Sequence, residues 1–519
     1  MSTTPLERPV RTRSTLWWLP SVALIGLTGF LLRLVPVLNG GGLYGRGNYD
    51  DGVYYAAAAG FVHGLLPYRD FLLLHPPGIV LVLTPFAALA GLVGDPTALA
   101  VGRVTFMIIG AGNAVLVWVA LRRLGSAAAV IAGLLYAVAL PAVYVEHTLL
   151  LEPLTTTCLV AAVGLLGFAH RATTRAVPAL VAAGALLGVS SSIKIWGVVP
   201  AAAVLIWTLV VLGRRSGLLV AAGGLTGLVA VCGPFFAAAP VQMWQLVVVS
   251  QLGRPATGTG WLRRAWTISG LSAFGARPVA WALLVVGLTV VAAAVVAWHS
   301  PVGRLAVGVL AATLGVLFAM PSWFLHYAAL SVGPLALVLG AAVGRVATRV
   351  RRPGPAALAL VTVGVLLAVY AATVVQLPFG RPFPTTTLAA TVGASRTCVT
   401  TDNPISLIEL DVLRRNMSRG CPLVVDLGGY SYFLQPDRPD FVSRRRNRAW
   451  QSMAVDYLRS GDVTVGLRFD GAHGYSRAAV RTIGSWPLLA RAGKVTARRP
   501  RQVAERSVAL PQLGSGSSR

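Results

Sequence analysis

The stretch from Asn48 to Pro77, NYDDGVYYAAAAGFVHGLLPYRDFLLLHPP, concentrates groups that can do chemistry. It holds three carboxylates (Asp50, Asp51, Asp70), two histidines (His63, His75) and Arg69. A carboxylate within reach of a hydroxyl can take its proton, and a cation nearby can hold an anion such as phosphate. Residues 51–66 have helical spacing, which puts Asp50 or Asp51 at a helix N-terminus, where the helix dipole stabilises negative charge. A capping role for Asp50 is the plainer alternative, but only one of two adjacent acids can cap.

Further polar groups recur at intervals down an otherwise apolar chain. Glu146, His147 and Glu152 fall in EHTLLLEP, with Glu152 just before Pro153. Lys194, in SSIKIW, is one of only two lysines, in a chain that otherwise uses Arg. An ionisable residue at membrane depth is costly to keep and marks a candidate site; the competing reading is snorkelling to the interface. Trp323, His326 and Tyr327 fall together in PSWFLHY, which an aromatic interface belt would also explain.

Only 12% of the 519 residues are charged and 55% are hydrophobic, against roughly 25% charged in soluble domains. Apolar runs fall at 16–38, 77–94, 97–121, 126–145, 153–169, 177–193, 195–213, 217–239, 276–298, 303–320, 325–344 and 356–376. Runs near 20 residues match a hydrocarbon core of about 30 Å, so the fold class is an α-helical polytopic membrane protein. The first run is too long for a cleavable signal and is a transmembrane helix. The net charge of +27 does not argue for nucleic acid, because most Arg lies in short loops and the tail, where it sets orientation.

Those loops fix the number of spans. Arg122-Arg123, His170 to Arg175, Arg214-Arg215, His299 to Arg304 and Arg345 to Arg352 fall on one side together only if 77–94, opened by Pro76-Pro77, does not cross. About eleven spans follow, in a chain of the plasma membrane. Residues 1–15 are then cytoplasmic, 16–376 form the membrane domain with its first outer loop at 39–96, and 377–506 form a small extracytoplasmic α/β domain with a disordered tail at 507–519. The loop 240–275 keeps Arg254, Arg263 and Arg264 on the outer side beside Trp244, Trp261 and Trp266, as an interfacial helix facing anionic lipid headgroups would. Cys398 and Cys421 are a possible disulfide if their domain meets an oxidising compartment; Cys158 and Cys232 read as core residues.

Asp50-Asp51-Gly52-Val53-Tyr54, then Gly64-Leu65-Leu66-Pro67-Tyr68, then His75-Pro76-Pro77 form an ordered set that resembles the GT-C glycosyltransferases. The likeness is to their branch of protein mannosyltransferases and aminoarabinose transferases, and it extends through roughly residues 15–345 to Arg103 at the start of the next span. It implies an enzyme that uses a polyprenyl-phosphate sugar on the outer membrane face. Asp50 would be the base toward the acceptor hydroxyl, with Asp51 as its alternate and Glu152 as a second acid. Lys194, His75, Arg69, Arg103, His326 and Tyr327 would lie near the donor's lipid phosphate, with His75 standing where the family has Lys. The implied partners are that donor, an envelope glycan, glycolipid or protein acceptor and the bilayer, with mannose or arabinofuranose as the natural sugars.

There is no Walker A, Rossmann glycine pattern, HExxH or zinc spacing of Cys and His. No cofactor is assigned, and a divalent metal is left open. A transporter, a lipid flippase or a non-catalytic assembly protein are the competing readings. No two-halves repeat of the transporter kind is visible, and the polar groups gather at one face.

Overall fold

A computed structural model describes residues 18–170, 176–349, 353–435 and 441–501. The expected N-terminal segment 1–15, the connection 171–175, part of the run Arg345 to Arg352 and the tail lie outside these residues. The first ten helices are α1 (Leu19–Leu38), α2 (Tyr49–Val62), α3 (Gly78–Val93), α4 (Asp95–Leu121), α5 (Ser126–Val138), α6 (Leu140–Glu146), α7 (Glu152–Ala169), α8 (Ala176–Ile193), α9 (Val198–Val211) and α10 (Arg214–Ala238). Ala280–Trp298, Pro301–Ala319, Val332–Ala347 and Pro353–Val375 complete the bundle.

Nine helices among the described residues are long and apolar enough to cross a membrane, and the bent pair α5–α6 makes ten. Ile195–Val211, which runs from Lys194 to the Arg214 end of the bundle, is a shorter apolar stretch than these. Helix α3 is another of the shorter apolar helices. Its start packs on Ser192 and Ile193 at the end of α8, while Gly94 beyond its other end meets the Asp411 carboxylate of the C-terminal domain. Both of its ends therefore lie at one end of the bundle, as the loop charges require.

The break between α5 and α6, a bend of 59°, has a covalent cause. Pro141 has no N–H, so the carbonyl of Ala137 loses its helical partner. Arg33 from α1 donates to that carbonyl (3.1 Å) and to the carbonyl of Gly29 (2.5 Å). Its Nε also reaches Glu146 Oε2 at 2.8 Å, and Asn113 Nδ2 (3.0 Å) and Tyr136 OH (2.6 Å) donate to Oε1 of the same carboxylate. Both Arg33 and Glu146 are fully buried, so this acid of the outer-loop cluster holds the bend.

The C-terminal domain carries a sheet of β1 (Val399–Thr401), β2 (Val463–Gly466), β3 (Leu488–Ala492) and β4 (Val495–Arg498) in the order β1-β2-β4-β3. β1 pairs parallel with β2, and the remaining pairs are antiparallel. Cys398 and Cys421 are joined by a disulfide beside β1. Beyond β1 lie two short helices, Ile405–Glu409 and Leu413–Ser418, separated where Asp411 takes a positive φ of 53°. Asp411 Oδ1 accepts from the Asp95 amide at 2.9 Å, and Asp95 Oδ2 accepts from the Arg414 amide, which clasps the domain to α4. The apolar stretch 421–427 leads into a turn at Asp426–Gly429.

Removing one partner of a buried ion pair costs about 3–5 kcal/mol. Glu146→Ala is expected to lower unfolding stability in detergent by about that amount, and a Leu/Leu double replacement of Arg33 and Glu146 should recover most of it. Thermal and denaturant unfolding of the three variants checks this.

Candidate active site

Helix α2 begins where Asn48 caps it, its side chain accepting from the Asp50 amide at 3.1 Å. The cap is therefore Asn48, and Asp50 is released from that role. The four alanines at 56–59 favour the helix, and Gly52 lets it pass against the C-terminal domain. A Cβ at that position would come within 2.9 Å of the Ile405 amide. Helix α2 is thus wedged between the bundle and the sheet domain.

The two adjacent acids go to different places. Asp51 is fully buried and receives Arg103 Nη2 at 2.8 Å and Thr148 Oγ1 at 2.6 Å. Arg103 also donates to the carbonyls of Leu43 (2.6 Å) and Gly45 (2.8 Å). Neither Asp51 nor Arg103 lines a cavity; together they fix the helix. Asp50 is half-buried and lines two spaces at once. One is an outer cavity of about 520 Å³ roofed by the C-terminal domain. The other is an inner one of about 120 Å³ bounded by Tyr54, His75, Arg254, Tyr327 and Asp426.

Burial pushes the Asp50 carboxyl up to about 7, with Asp426 and Glu152 adding to the shift and Arg254 and Lys194 opposing it. An acid so placed is divided between its two protonation states near neutral pH, the condition a general base needs.

Two cations line the inner cavity, Arg444 from the C-terminal domain and Arg254 from the loop 240–275. Arg254 is the more enclosed by the membrane domain. It is 9% exposed and forms no ion pair among the described residues. Its Nη1 donates to Tyr327 OH at 3.2 Å, and its guanidinium lies 5.9 Å from the Phe324 ring and 5.3 Å from that of Tyr432. Gln251, three residues earlier, donates to the Leu74 carbonyl at 2.7 Å and so ties this loop to the His75 segment. Arg264 is structural, donating to the carbonyls of Leu317 (3.1 Å) and Met320 (2.7 Å) at a helix end, and Arg263 is exposed.

Lys194 lines neither cavity. It is buried, donates to Glu152 Oε1 at 2.6 Å and stands 4.2 Å over the Tyr327 ring. His326 Nε2 lies 3.9 Å from the same carboxylate oxygen. His75 lines the inner cavity, but burial and then the charges of Arg254 and Lys194 hold its imidazole well below the usual range, so it is neutral. A neutral ring does not replace a lysine's charge. Its position is set by Tyr68, held at φ 69°, whose OH donates to the His75 carbonyl at 2.7 Å. Arg69 is 52% exposed, pairs with Asp70 at 2.8 Å and reaches neither cavity. Among the described residues no group of three or more His, Cys, Asp or Glu is placed to hold a metal ion.

Sequence reasoning missed the roof. Asp402, Asp426, Arg444, Trp450, Arg468 and His473 line the cavities from the C-terminal domain. Only the excess of Arg there hinted at it, because no local motif announces residues that meet across domains.

A bundle with nine or ten membrane-length apolar helices among the described residues, and an acid in the first loop facing a roofed cavity, defines a polytopic membrane protein. No family profile matches the sequence, and no curated protein sequence matches it significantly. Solved structures do match. ArnT from Cupriavidus metallidurans bound to undecaprenyl phosphate superposes with a TM-score of 0.59 at 15% identity, over 96% of this chain and 100% of that one. The apo oligosaccharyltransferase of Archaeoglobus fulgidus gives 0.59 at 12% identity, over 92% and 73%. AglB from the same organism, with an inhibitory peptide and a dolichol-phosphate, gives 0.54 at 13% identity, over 87% and 69%. Identities this low establish a shared fold.

The Asp50 shift has a consequence for stability. The folded chain holds this proton more tightly than the unfolded chain, where Asp titrates near ~3.9. Stability from the carboxyl is fully present below that pH and is lost as pH rises through about 7. The melting temperature of Asp50→Asn relative to the native chain should therefore climb from pH 4 to pH 7 and level off above it.

Proposed function

We propose that this chain is an integral-membrane glycosyltransferase that moves a sugar from a polyprenyl-phosphate donor to an acceptor hydroxyl on the outer face of the membrane. The observation that carries this reading is Asp50, an acid poised near neutrality where two cavities meet, with an uncompensated Arg254 across the smaller one.

The chemistry divides along that junction. The acceptor occupies the outer cavity with its hydroxyl against Asp50, and the donor phosphate occupies the inner cavity against Arg254. Asp50 takes the hydroxyl proton as the oxygen attacks the anomeric carbon. The bond from that carbon to the phosphate oxygen breaks, and the lipid phosphate leaves with the electron pair. Arg254 meets the charge that develops on it. Asp51 acts through Arg103 to position α2, and Glu152 with Lys194 positions Tyr327, which in turn holds Arg254. An envelope glycan, glycolipid or protein is the acceptor class, and mannose or arabinofuranose the sugar we favour.

Purified chain given radiolabelled polyprenyl-phosphate mannose or arabinofuranose should transfer one of them. Asp50→Asn is expected to slow transfer by about 10²–10⁴-fold. Arg254→Gln should weaken undecaprenyl-phosphate binding by about tenfold or more. The rate should rise with pH and level off above about 7, as Asp50 loses its proton. Full transfer by Asp50→Asn, or movement of lipid across vesicles without transfer, would overturn the reading. Cysteine labelling should place residue 123 inside and residue 430 outside.

A further inference from the structure

The outer cavity carries more positive charge than transfer to a neutral hydroxyl requires. Arg468 lines it, with its guanidinium 5.1 Å over the ring of Tyr49, the residue just before Asp50. Asp402, just past the end of the neighbouring strand β1, is already engaged. Asp402 accepts from the amides of Leu467 (2.9 Å) and Arg468 (2.6 Å), which orients the loop and leaves the guanidinium free. Arg444 lines the cavity from the other side, 5.8 Å over Trp450.

A second set of arginines stands at the rim. Arg46 precedes Gly47 of the cavity wall, and its backbone pairs with that of Arg381. Its Nε is buried without a hydrogen-bond partner. Burial lowers the pKa of Arg46, and Arg381 and Arg468 lower it further, so three like charges are crowded together. None of Arg46, Arg381, Arg444 or Arg468 forms an ion pair among the described residues. Backbone pairing and aromatic stacking hold these cations near one another against their repulsion, and an anion entering the cavity would relieve it.

The wall between them suits a sugar. Tyr49, Tyr144, Trp450 and Tyr475 give the cavity an aromatic lining, while Asp50 and Asp402 offer acceptors for hydroxyls. We propose that the outer cavity binds a saccharide carrying an acid group, a sugar carboxylate or a sugar phosphate, and that Arg468 and Arg46 are its ligands. This rests on the transferase reading only in naming that saccharide the acceptor.

The test is binding to the full chain in nanodiscs by calorimetry, using tetragalacturonate, its methyl ester, maltotetraose and a singly phosphorylated maltotetraose. At least one acidic probe should bind about tenfold tighter than its neutral counterpart, since charge-assisted hydrogen bonds are the strong ones. The arm that shows the preference tells carboxylate from phosphate. Raising salt should shrink the preference. Arg468→Gln combined with Arg46→Gln should abolish it while leaving neutral-probe affinity and the melting temperature near native. Equal affinity for acidic and neutral probes overturns the proposal, as does an acid preference that survives the double substitution. Undecaprenyl-phosphate binding in the same preparation, lost in Arg254→Gln, reports separately on the transferase reading and can stand when the acidic-acceptor proposal falls.

Discussion

Asp51 and Arg103 meet where α2 crosses α4, and both have left water to do so. Burying two charges is repaid only when the geometry is good and the remaining hydrogen-bonding groups are satisfied. Here Thr148 joins Arg103 on Oδ2 of the carboxylate while Oδ1 is left without a partner, and the carbonyls of Leu43 and Gly45 accept from the guanidinium. Glu409 of the C-terminal domain lies 3.5 Å from the same guanidinium, and burial pushes its carboxyl up to about 8. One cation thereby touches the first loop, α2 and the sheet domain. Neighbouring residues on a helix point about 100° apart, so fixing Asp51 inward decides that Asp50 looks into the cavities.

The same logic of compensation sorts the cations of the site. Lys194 is neutralised by Glu152 and serves to seat Tyr327. His75 is kept neutral by burial, with the cations around it adding to the effect. Arg254 forms no ion pair among the described residues, although Asp50 and Asp426 line the same cavity, and its guanidinium is left for an anion that enters there. A charge left uncompensated in a buried place is costly, and the cost is tolerable where a ligand of opposite sign completes the pair. The outer cavity repeats the pattern with Arg468.

Much of the architecture was legible in the chain. Apolar runs of membrane length gave the polytopic helical bundle, and the distribution of Arg pointed to the segment 77–94 whose two ends lie at one end of it, because the bilayer imposes length and charge rules on every segment locally. The acidic pair of the first loop was legible too, since two adjacent carboxylates exceed any capping need. The assignments at Arg69, Arg103 and Lys194 were less so. Each is a cation at a plausible position in the sequence, yet Arg69 faces outward to Asp70 and the other two are paired with buried acids.

The sequence by itself determined a polytopic bundle, a first loop rich in carboxylates and a polar C-terminal domain. Only the tertiary structure decided which acid of Asp50 and Asp51 faces the cavities, that Asn48 takes the cap, and that Arg254 rather than Lys194 is the cation left free. It also brought Arg444, Arg468 and Asp426 over the site from hundreds of residues away. The reason is physical: hydropathy and helix capping act over a few residues, whereas the pairing of charges depends on which ones the fold carries out of water together.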